Sequence, residues 1–281
     1  MIDPTFRIFA PPVNTALTSV DAIIANWIIA IQSAIILSAI VFAGRYWVKS
    51  KSPMLALILV GGAIANLAEP FVDLVGACWH PIINQHTLFE NMDRPLPVWL
   101  LFSYVTYFGC LTMWTFNAFN RGASRRAIWL WFLVPVAFDI LMEEAMLGFS
   151  NSLYVYYGNQ PLKIHSFPIW WAAANGSGTV ISALVTTLFA STLRGWRMLI
   201  VPFITIMSYA AATGMVALPS IIVINSEFPN WVTQLGGIAT FWIAFLVVQA
   251  CTRMISTDSP QNIRSAIDAG QIHHAVPSAD A

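Results

Sequence analysis

The sequence predicts an all-α integral membrane protein, on the basis of its composition, its long apolar stretches and the positions of its basic residues. The chain has 281 residues, of which 58% are hydrophobic and only 9% are charged, whereas roughly 25% of the residues of a soluble domain are charged. Its 13 basic and 13 acidic residues balance, so no basic surface for nucleic acid is indicated. We therefore expect membrane lipids, and not nucleic acid, as partners.

Seven stretches contain the roughly 20 apolar residues that an α-helix needs to cross a bilayer. Helices are the expected elements, because a backbone in lipid must satisfy its own hydrogen bonds. The predicted spans are 23–43, 54–78, 97–119, 127–149, 170–193, 198–222 and 232–251.

The basic residues are distributed asymmetrically around these spans. Ten of the 13 follow the first, third, fifth or last span, and the other three are Arg7, Arg94 and Lys163. The positive-inside rule then places the N-terminus outside and the C-terminus in the cytoplasm. We predict a seven-transmembrane-helix bundle over residues 1–256 and a disordered tail over residues 257–281.

Five acidic residues lie inside the predicted spans, and they are the strongest functional signal in the sequence. They are Glu69 and Asp73 in span two and Asp139, Glu143 and Glu144 in span four, whereas no predicted span contains Lys or Arg. Charged side chains at membrane depth cost at least about 2.5 kcal/mol on insertion scales, so they usually face the bundle interior and serve a function. Hydrogen bonding between helices is the structural alternative.

Helical spacing and depth predict that these acids converge. The acids of span two share one helical face with Asn66, and Asp139 and Glu143 are four residues apart in span four. At about 1.5 Å per residue, Glu69 and Glu143 both lie roughly 22 to 24 Å from the predicted cytoplasmic ends of their spans. Asn175 reaches a similar level from the outer end of span five. We therefore expect one shared cavity in the outer half of the membrane.

Two long loops at the predicted outer surface, 79–96 and 150–169, are rich in polar and aromatic residues. Such loops often carry function or form a lid. Their rings are equally expected in an interfacial aromatic belt; alternatively, some line the cavity and stabilise a developing cation. The candidate substrate-binding residues are Asn66, Glu144, Tyr154, Tyr156, Trp170, Trp171 and Asn175.

Crowded carboxyl groups suggest acid–base chemistry. In a water-poor site they cannot all ionise, and a neutral carboxyl beside an ionised one suits general acid and base catalysis. We assign Glu143 as the acid, with Asp139 tuning it, and Glu69 or Asp73 as the base. Asn175 would orient the substrate or the acid.

No cofactor and no metal is predicted. His80, His86 and His165 in the outer loops match no common ligand spacing, and the three cysteines lack C-x-x-C spacing. The last span contains no lysine for a retinal Schiff base, and no D-D-x-x-D cluster for a diphosphate substrate is present.

The stretch FDILMEEAMLGFSNSLYVYYGNQPLKIHSFPIW, residues 138–170, resembles the integral-membrane spiroketal cyclases of the avermectin pathway type. In that family a membrane helix contains an Asp and, four residues later, a Glu. A Tyr-x-Tyr, a Gly and a Pro-centred aromatic segment follow, and another span contains an acidic residue followed by Pro. The resemblance covers about residues 66–175, although the loop 79–96 lacks that family's Asn-Tyr-rich stretch. The matching positions are Glu69, Pro70, Asp139, Glu143, Tyr154, Tyr156, Gly158 and Pro168.

Small multi-span terpene cyclases of meroterpenoid pathways are similar in size, in span number and in their use of intramembrane acids. Both groups imply ring closure in a lipophilic isoprenoid or polyketide substrate without redox change. A proton-coupled transporter is an alternative, but the cytoplasmic halves of spans two and four contain few polar residues for a proton path. A membrane sensor or assembly subunit, whose acids pair with a partner's basic residues, is a further alternative.

Overall fold

The computed structural model describes Val20 and residues 22–149 and 153–257, and about 75% of these residues are helical. The predicted tail lies outside the described residues, apart from Thr257. Two 3₁₀ turns, Asn66–Ala68 and Gly195–Ile200, and two π-helical segments, Val105–Leu111 and Ala212–Val216, connect some of the helices. The α-helices, α1 to α10, are Ala22–Ser50, Met54–Ala65, Glu69–Gly76, Val98–Tyr104, Thr112–Asn120, Arg125–Phe149, Trp170–Phe189, Val201–Ala211, Leu218–Ile224 and Asn230–Ile255.

The chain has the character of an integral membrane protein, because six helical segments among the described residues are long and apolar enough to cross a bilayer. Many large apolar side chains on these helices are exposed, as lipid contact requires. Helix α6 corresponds to predicted span four and, with 25 residues, is long enough to cross a bilayer. It is not one of the six because it contains more charged residues than they do. The six are Ala22–Ser50, Met54–Gly76, Val98–Asn120, Trp170–Phe189, Gly195–Val216 and Asn230–Ile255.

Helix α7 lies at the centre of the bundle and packs against α5, α6, α8 and α10. Most of its side chains are buried, and many of them are small, which lets neighbouring helices approach closely. The fold therefore places Asn175 of α7 directly beside the acidic helix α6.

The second span is not one regular helix. Its 3₁₀ turn Asn66–Ala68 separates α2 from α3, and Pro70 stands in the first turn of α3, where its missing N–H is tolerated. Because a 3₁₀ turn has about 3.0 residues per turn, side chains three residues apart, such as Asn66 and Glu69, are aligned more closely than in an α-helix. Span two also ends earlier than predicted, at Gly76, so that Cys78 lies in a strand.

Short strands in the two long loops were not predicted, because we expected helices alone. Strand β1 pairs antiparallel with β4, so that Cys78 lies opposite Tyr156 and Trp79 opposite Val155. This pairing joins the two loops at one end of the bundle, called the loop end below. The strands β1 to β6 are Cys78–Trp79, Thr87–Asn91, Arg94–Pro97, Val155–Tyr156, Lys163–Ile164 and Phe167–Pro168.

Candidate functional site

A cavity of about 180 Å³ lies inside the bundle at the loop end. Its lining comes from α1, α3, α4, α6, α7, α8, the first π segment and both long loops, and it combines carboxyl groups with aromatic rings. Eight of the predicted site residues line it: Glu69, Asp73, Asp139, Glu143, Tyr154, Tyr156, Trp171 and Asn175. The predicted convergence of two acidic helices, one amide and two loops on a single cavity is therefore observed.

On the α6 side of the cavity, Glu143 accepts hydrogen bonds from two phenols. Tyr154 donates its hydroxyl to the Glu143 carboxylate, and the Tyr156 hydroxyl lies 3.3 Å from the same oxygen. One turn earlier, Asp139 accepts a hydrogen bond of 3.0 Å from the Asn175 amide. The pair Asp139 and Glu143 is thus held in place by the loop on one side and by α7 on the other.

On the opposite side, Glu69 has a similar environment. The Tyr104 hydroxyl donates to the Glu69 carboxylate, and the Tyr209 hydroxyl lies 3.2 Å from the same oxygen. The two phenols also contact each other at 2.7 Å. Tyrosines from two separate spans therefore position this carboxyl group at the cavity wall.

A third polar group is formed by Asp73 and His80. The His80 Nδ1 atom lies 3.1 Å from the Asp73 carboxylate, and both side chains are only 2% exposed. The His80 ring stacks on Tyr154, with centroids 5.4 Å apart, and also contacts Trp99. The sequence places this histidine in an outer loop, but the fold buries it against the cavity.

The loop that carries Tyr154 and Tyr156 is fixed to the end of α3 by hydrogen bonds. The Tyr157 N–H donates to the Ala77 carbonyl at 2.9 Å, and the Gln160 amide donates to the Gly76 carbonyl at 2.8 Å. These bonds and the β1–β4 pairing hold the two phenols over Glu143.

Several buried polar atoms of the cavity wall have no hydrogen-bond partner within the described part of the chain. They include potential donors and potential acceptors, and buried polar groups in proteins are normally paired. Neighbouring protein atoms cover them, so a ligand in the cavity reaches them only after a side chain moves. These atoms are the Gln32 Oε1, Thr106 Oγ1, Tyr107 OH, Trp171 Nε1 and Asn175 Oδ1 atoms.

Three predicted site residues do not line this cavity. Asn66 is buried in the 3₁₀ turn, and neither of its side-chain amide atoms has a hydrogen-bond partner among the described residues. Glu144 points to the neighbouring loop, where it accepts hydrogen bonds from the backbone of residues 166 and 167. Trp170 is fully buried and donates to Gln160. The assignment of these three to substrate binding does not agree with the observed lining.

The cavity also contains residues that the sequence analysis did not assign to it. They are mainly aromatic or uncharged side chains, which are common in apolar spans and therefore give no functional signal in the sequence. A usable signal existed for Tyr104, since it lies about two turns inside span three, at a depth similar to that of Asn175. The most prominent of these residues are Gln32, His80, Trp99, Tyr104, Tyr107 and Tyr209.

The phenol of Tyr154 remains protonated at neutral pH, because burial and the neighbouring Glu143 carboxylate raise its pKa well above its ordinary value. We expect the substitution Tyr154→Phe to lower the free energy of unfolding by about 1–3 kcal/mol, since a buried acceptor loses one of its two donors and keeps only the more distant one, Tyr156. Thermal unfolding in detergent measures this effect. The control is Tyr46→Phe on α1, outside the cavity lining, and equal melting temperatures for the two variants would contradict the expectation.

Comparisons with known proteins provide no relative for this chain, since no family model, no curated protein and no solved structure matches it.

Proposed function

We propose that this protein is a membrane-embedded cyclase that closes a ring in a lipophilic isoprenoid or polyketide-derived substrate without redox change. The observation that carries the proposal is the position of four carboxyl groups, from two helices, on the wall of one cavity lined by aromatic rings. Such a site combines proton donors and acceptors with surfaces that exclude water. The resemblance of residues 138–170 to the spiroketal cyclases supports the same chemistry.

The proposed topology has seven spans, with α6 crossing the membrane as well. Its length of 25 residues is sufficient, and its acids at positions 139 and 143 line the interior cavity, where the cost of such residues in a span is reduced. The charge asymmetry of the loops then places the N-terminus outside, the C-terminus in the cytoplasm and the loop end on the outer side.

In the proposed reaction, Glu143 donates a proton to the substrate. The proton goes to the oxygen of an epoxide or hemiketal, or to a carbon of an alkene. Asp139, held by Asn175, tunes this acid. The ring closes as a nucleophilic oxygen or alkene attacks the activated carbon, and Glu69 or Asp73 accepts the proton released at the end. In the hemiketal case the protonated hydroxyl leaves as water. One proton leaves Glu143 and one arrives at Glu69 or Asp73, so a proton must pass back to Glu143 through the cavity or solvent before the next turnover; no electron acceptor is needed.

The carboxyl and phenol groups of the lining favour a substrate that carries several oxygen atoms on an apolar skeleton. After a side-chain movement, the unpaired Tyr107 hydroxyl and Trp171 indole N–H could also donate hydrogen bonds to it, and the Asn175 Oδ1 atom could accept one. Because buried unpaired groups are costly, a substrate that pairs with them gains both affinity and orientation.

We propose that the substrate enters from the lipid between α1 and α6. Ile31 of α1 and Phe138 of α6 both line the cavity, and 57% and 38% of their surfaces are exposed. A substrate dissolved in the bilayer can therefore reach the acids without crossing the aqueous phase.

This route predicts that Ile31→Trp reduces kcat/KM severalfold, because a larger ring narrows the opening, while the melting temperature is unchanged. The measurement is turnover in membranes at limiting substrate. Leu37→Trp is the matched control, since Leu37 is also exposed on α1 but does not line the cavity. Equal kcat/KM values for the two variants would rule out this opening.

The function itself is tested by incubating membranes that contain the protein with candidate linear precursors. The expected product has the mass of its precursor, or is lighter by one water when a hemiketal hydroxyl leaves. Membranes without the protein are the control. If the protein moves a labelled precursor across vesicle membranes and leaves its structure unchanged, the chain is a transporter and the proposal is wrong.

A further inference from the structure

We propose that Asp73, Cys78 and His80 form a binding site for a divalent transition-metal ion such as Zn²⁺. One carboxylate oxygen, the thiol sulfur and one imidazole nitrogen of these residues lie within 4.8 Å of one another. All three residues are almost fully buried and line the cavity. Together they supply oxygen, sulfur and nitrogen donors, which are the three ligand types that Zn²⁺ accepts in proteins.

The local fold explains how residues with an uncommon spacing meet. Asp73 lies in the last turn of α3, which ends when Ala77 adopts a left-handed conformation with φ of 55°. The chain then enters β1, which contains Cys78, and His80 directly follows this strand. Side chains two apart in an extended segment point to the same side, so both return toward Asp73. The spacing therefore does not resemble a known ligand motif, although the donors converge.

The observed distances are close to those of a tetrahedral site. Metal–ligand bonds of about 2.0–2.2 Å to nitrogen and oxygen give a separation of roughly 3.4 Å between two such ligands, and the His80 Nδ1 and Asp73 Oδ2 atoms are 3.1 Å apart. A zinc–sulfur bond of about 2.3 Å gives a separation of roughly 3.6 Å between the sulfur and a nitrogen or oxygen ligand. Since the Cys78 sulfur lies within 4.8 Å of the other two donors, each of these distances needs to shorten by about 1.2 Å at most.

The electrostatic setting also favours a cation. Four carboxyl groups line the cavity, and none of its described lining residues is Lys or Arg. A bound divalent ion would be the largest positive charge in the cavity and would offset the mutual repulsion of the carboxylates. Metal binding replaces the thiol proton of Cys78, which passes to solvent, and leaves a thiolate ligand.

Three protein ligands leave a fourth position on the cavity side, as in catalytic zinc sites. A substrate oxygen in that position would be polarised, which is a role in ring closure that rests on the proposed function. Asp73 would then serve as a ligand, and Glu69 would remain as the proton acceptor. Binding of the ion does not depend on the reaction, so it can be tested directly.

The test uses the full chain, purified in detergent through an affinity tag without histidines and stripped with a chelator. Titration with Co²⁺ is expected to give one bound ion per chain, with a thiolate-to-cobalt charge-transfer band in the near ultraviolet. Cys78→Ser should abolish that band, and Asp73→Asn and His80→Gln should each weaken binding at least tenfold. Competition with Zn²⁺ should displace the cobalt.

Two variants serve as matched controls. Cys251→Ser removes a buried cysteine of α10, and His86→Gln removes an exposed loop histidine; both should bind Co²⁺ as the wild type does. Wild-type protein that binds no more Co²⁺ than Cys78→Ser overturns the site, and so does a charge-transfer band that persists in that variant. Helix content measured by circular dichroism checks that each variant is folded.

Activity and metal binding can be separated. If the protein closes rings without a bound metal ion, the ion has no catalytic role and the proposed function stands.

Discussion

Replacing Glu143 with Gln is expected to reduce turnover by about 10²–10⁴-fold, which is the range that general acid–base catalysis contributes. A Gln side chain keeps the size of Glu and can still accept hydrogen bonds from Tyr154 and Tyr156, so the loop should stay in place. It cannot donate a proton to the substrate. Turnover in membranes is the measurement, with expression level and helix content as checks on folding.

The adjacent residue offers a matched control. Glu144 carries the same side chain one position further along α6, but its carboxylate accepts hydrogen bonds from loop backbone groups and does not line the cavity. The two backbone donors use different carboxylate oxygens, so Glu144→Gln keeps an acceptor for only one of them. Because the side chain does not line the cavity, turnover should nevertheless stay within a fewfold of wild type. Wild-type activity in Glu143→Gln would show that another group supplies the proton. Asp139→Asn would then be the next variant to measure.

The acidic positions of the cavity could be predicted from the sequence because a carboxyl group in a span has few acceptable surroundings. Glu69 and Glu143 had to face the bundle interior, and regular helices fix their depth closely enough to place them at one level. The two long loops were expected at the same end for the same topological reason. The main features of the cavity therefore follow from the cost of burying charge.

Other parts of the cavity depend on contacts that periodicity does not encode. Tyr104 and Tyr209 meet at Glu69 only because two separate spans pack side by side, and tyrosine in an apolar helix is common. His80 and Cys78 are brought to Asp73 by a left-handed residue and a two-residue strand, neither of which leaves a repeating pattern. Such local departures from regular helix decide which neighbours an acid acquires.

The 3₁₀ turn before Glu69 is an example of this limit. Helical spacing assigned Asn66 to the same face as the acids of span two, and the assignment assumed about 3.6 residues per turn throughout. Pro70 removes one backbone donor from the middle of the span. The 3₁₀ turn before it aligns residues three apart, yet Asn66 is buried and does not line the cavity, because helical spacing does not specify which neighbours pack against a side chain. Depth was less affected, because a 3₁₀ turn of three residues lengthens the segment by only about 1.5 Å.

Replacing Gly62 with Ala is expected to give a large loss of stability, because this glycine lets α2 approach the π segment of span three at backbone contact. A Cβ atom at Gly62 would lie 2.5 Å from the Gly109 nitrogen and 2.6 Å from its Cα atom. Backbone atoms cannot move aside as a flexible side chain can. Overpacking of this kind costs typically about 1–3 kcal/mol, and unfolding by heat in detergent or in mixed micelles measures it.

A graded series of the same substitution separates this contact from any general effect of Gly→Ala in a helix. At Gly109 the new Cβ atom would lie 3.2 Å from the Leu59 carbonyl oxygen, and at Gly44 it would meet no atom within 4 Å. The loss of stability should therefore decrease from Gly62→Ala to Gly109→Ala and vanish for Gly44→Ala. Turnover should follow the same order, because the Tyr104 carbonyl also lies 3.1 Å from the new atom at Gly62 and the Tyr104 hydroxyl positions Glu69. Equal stability of all three variants would mean that spans two and three do not pack through these glycines.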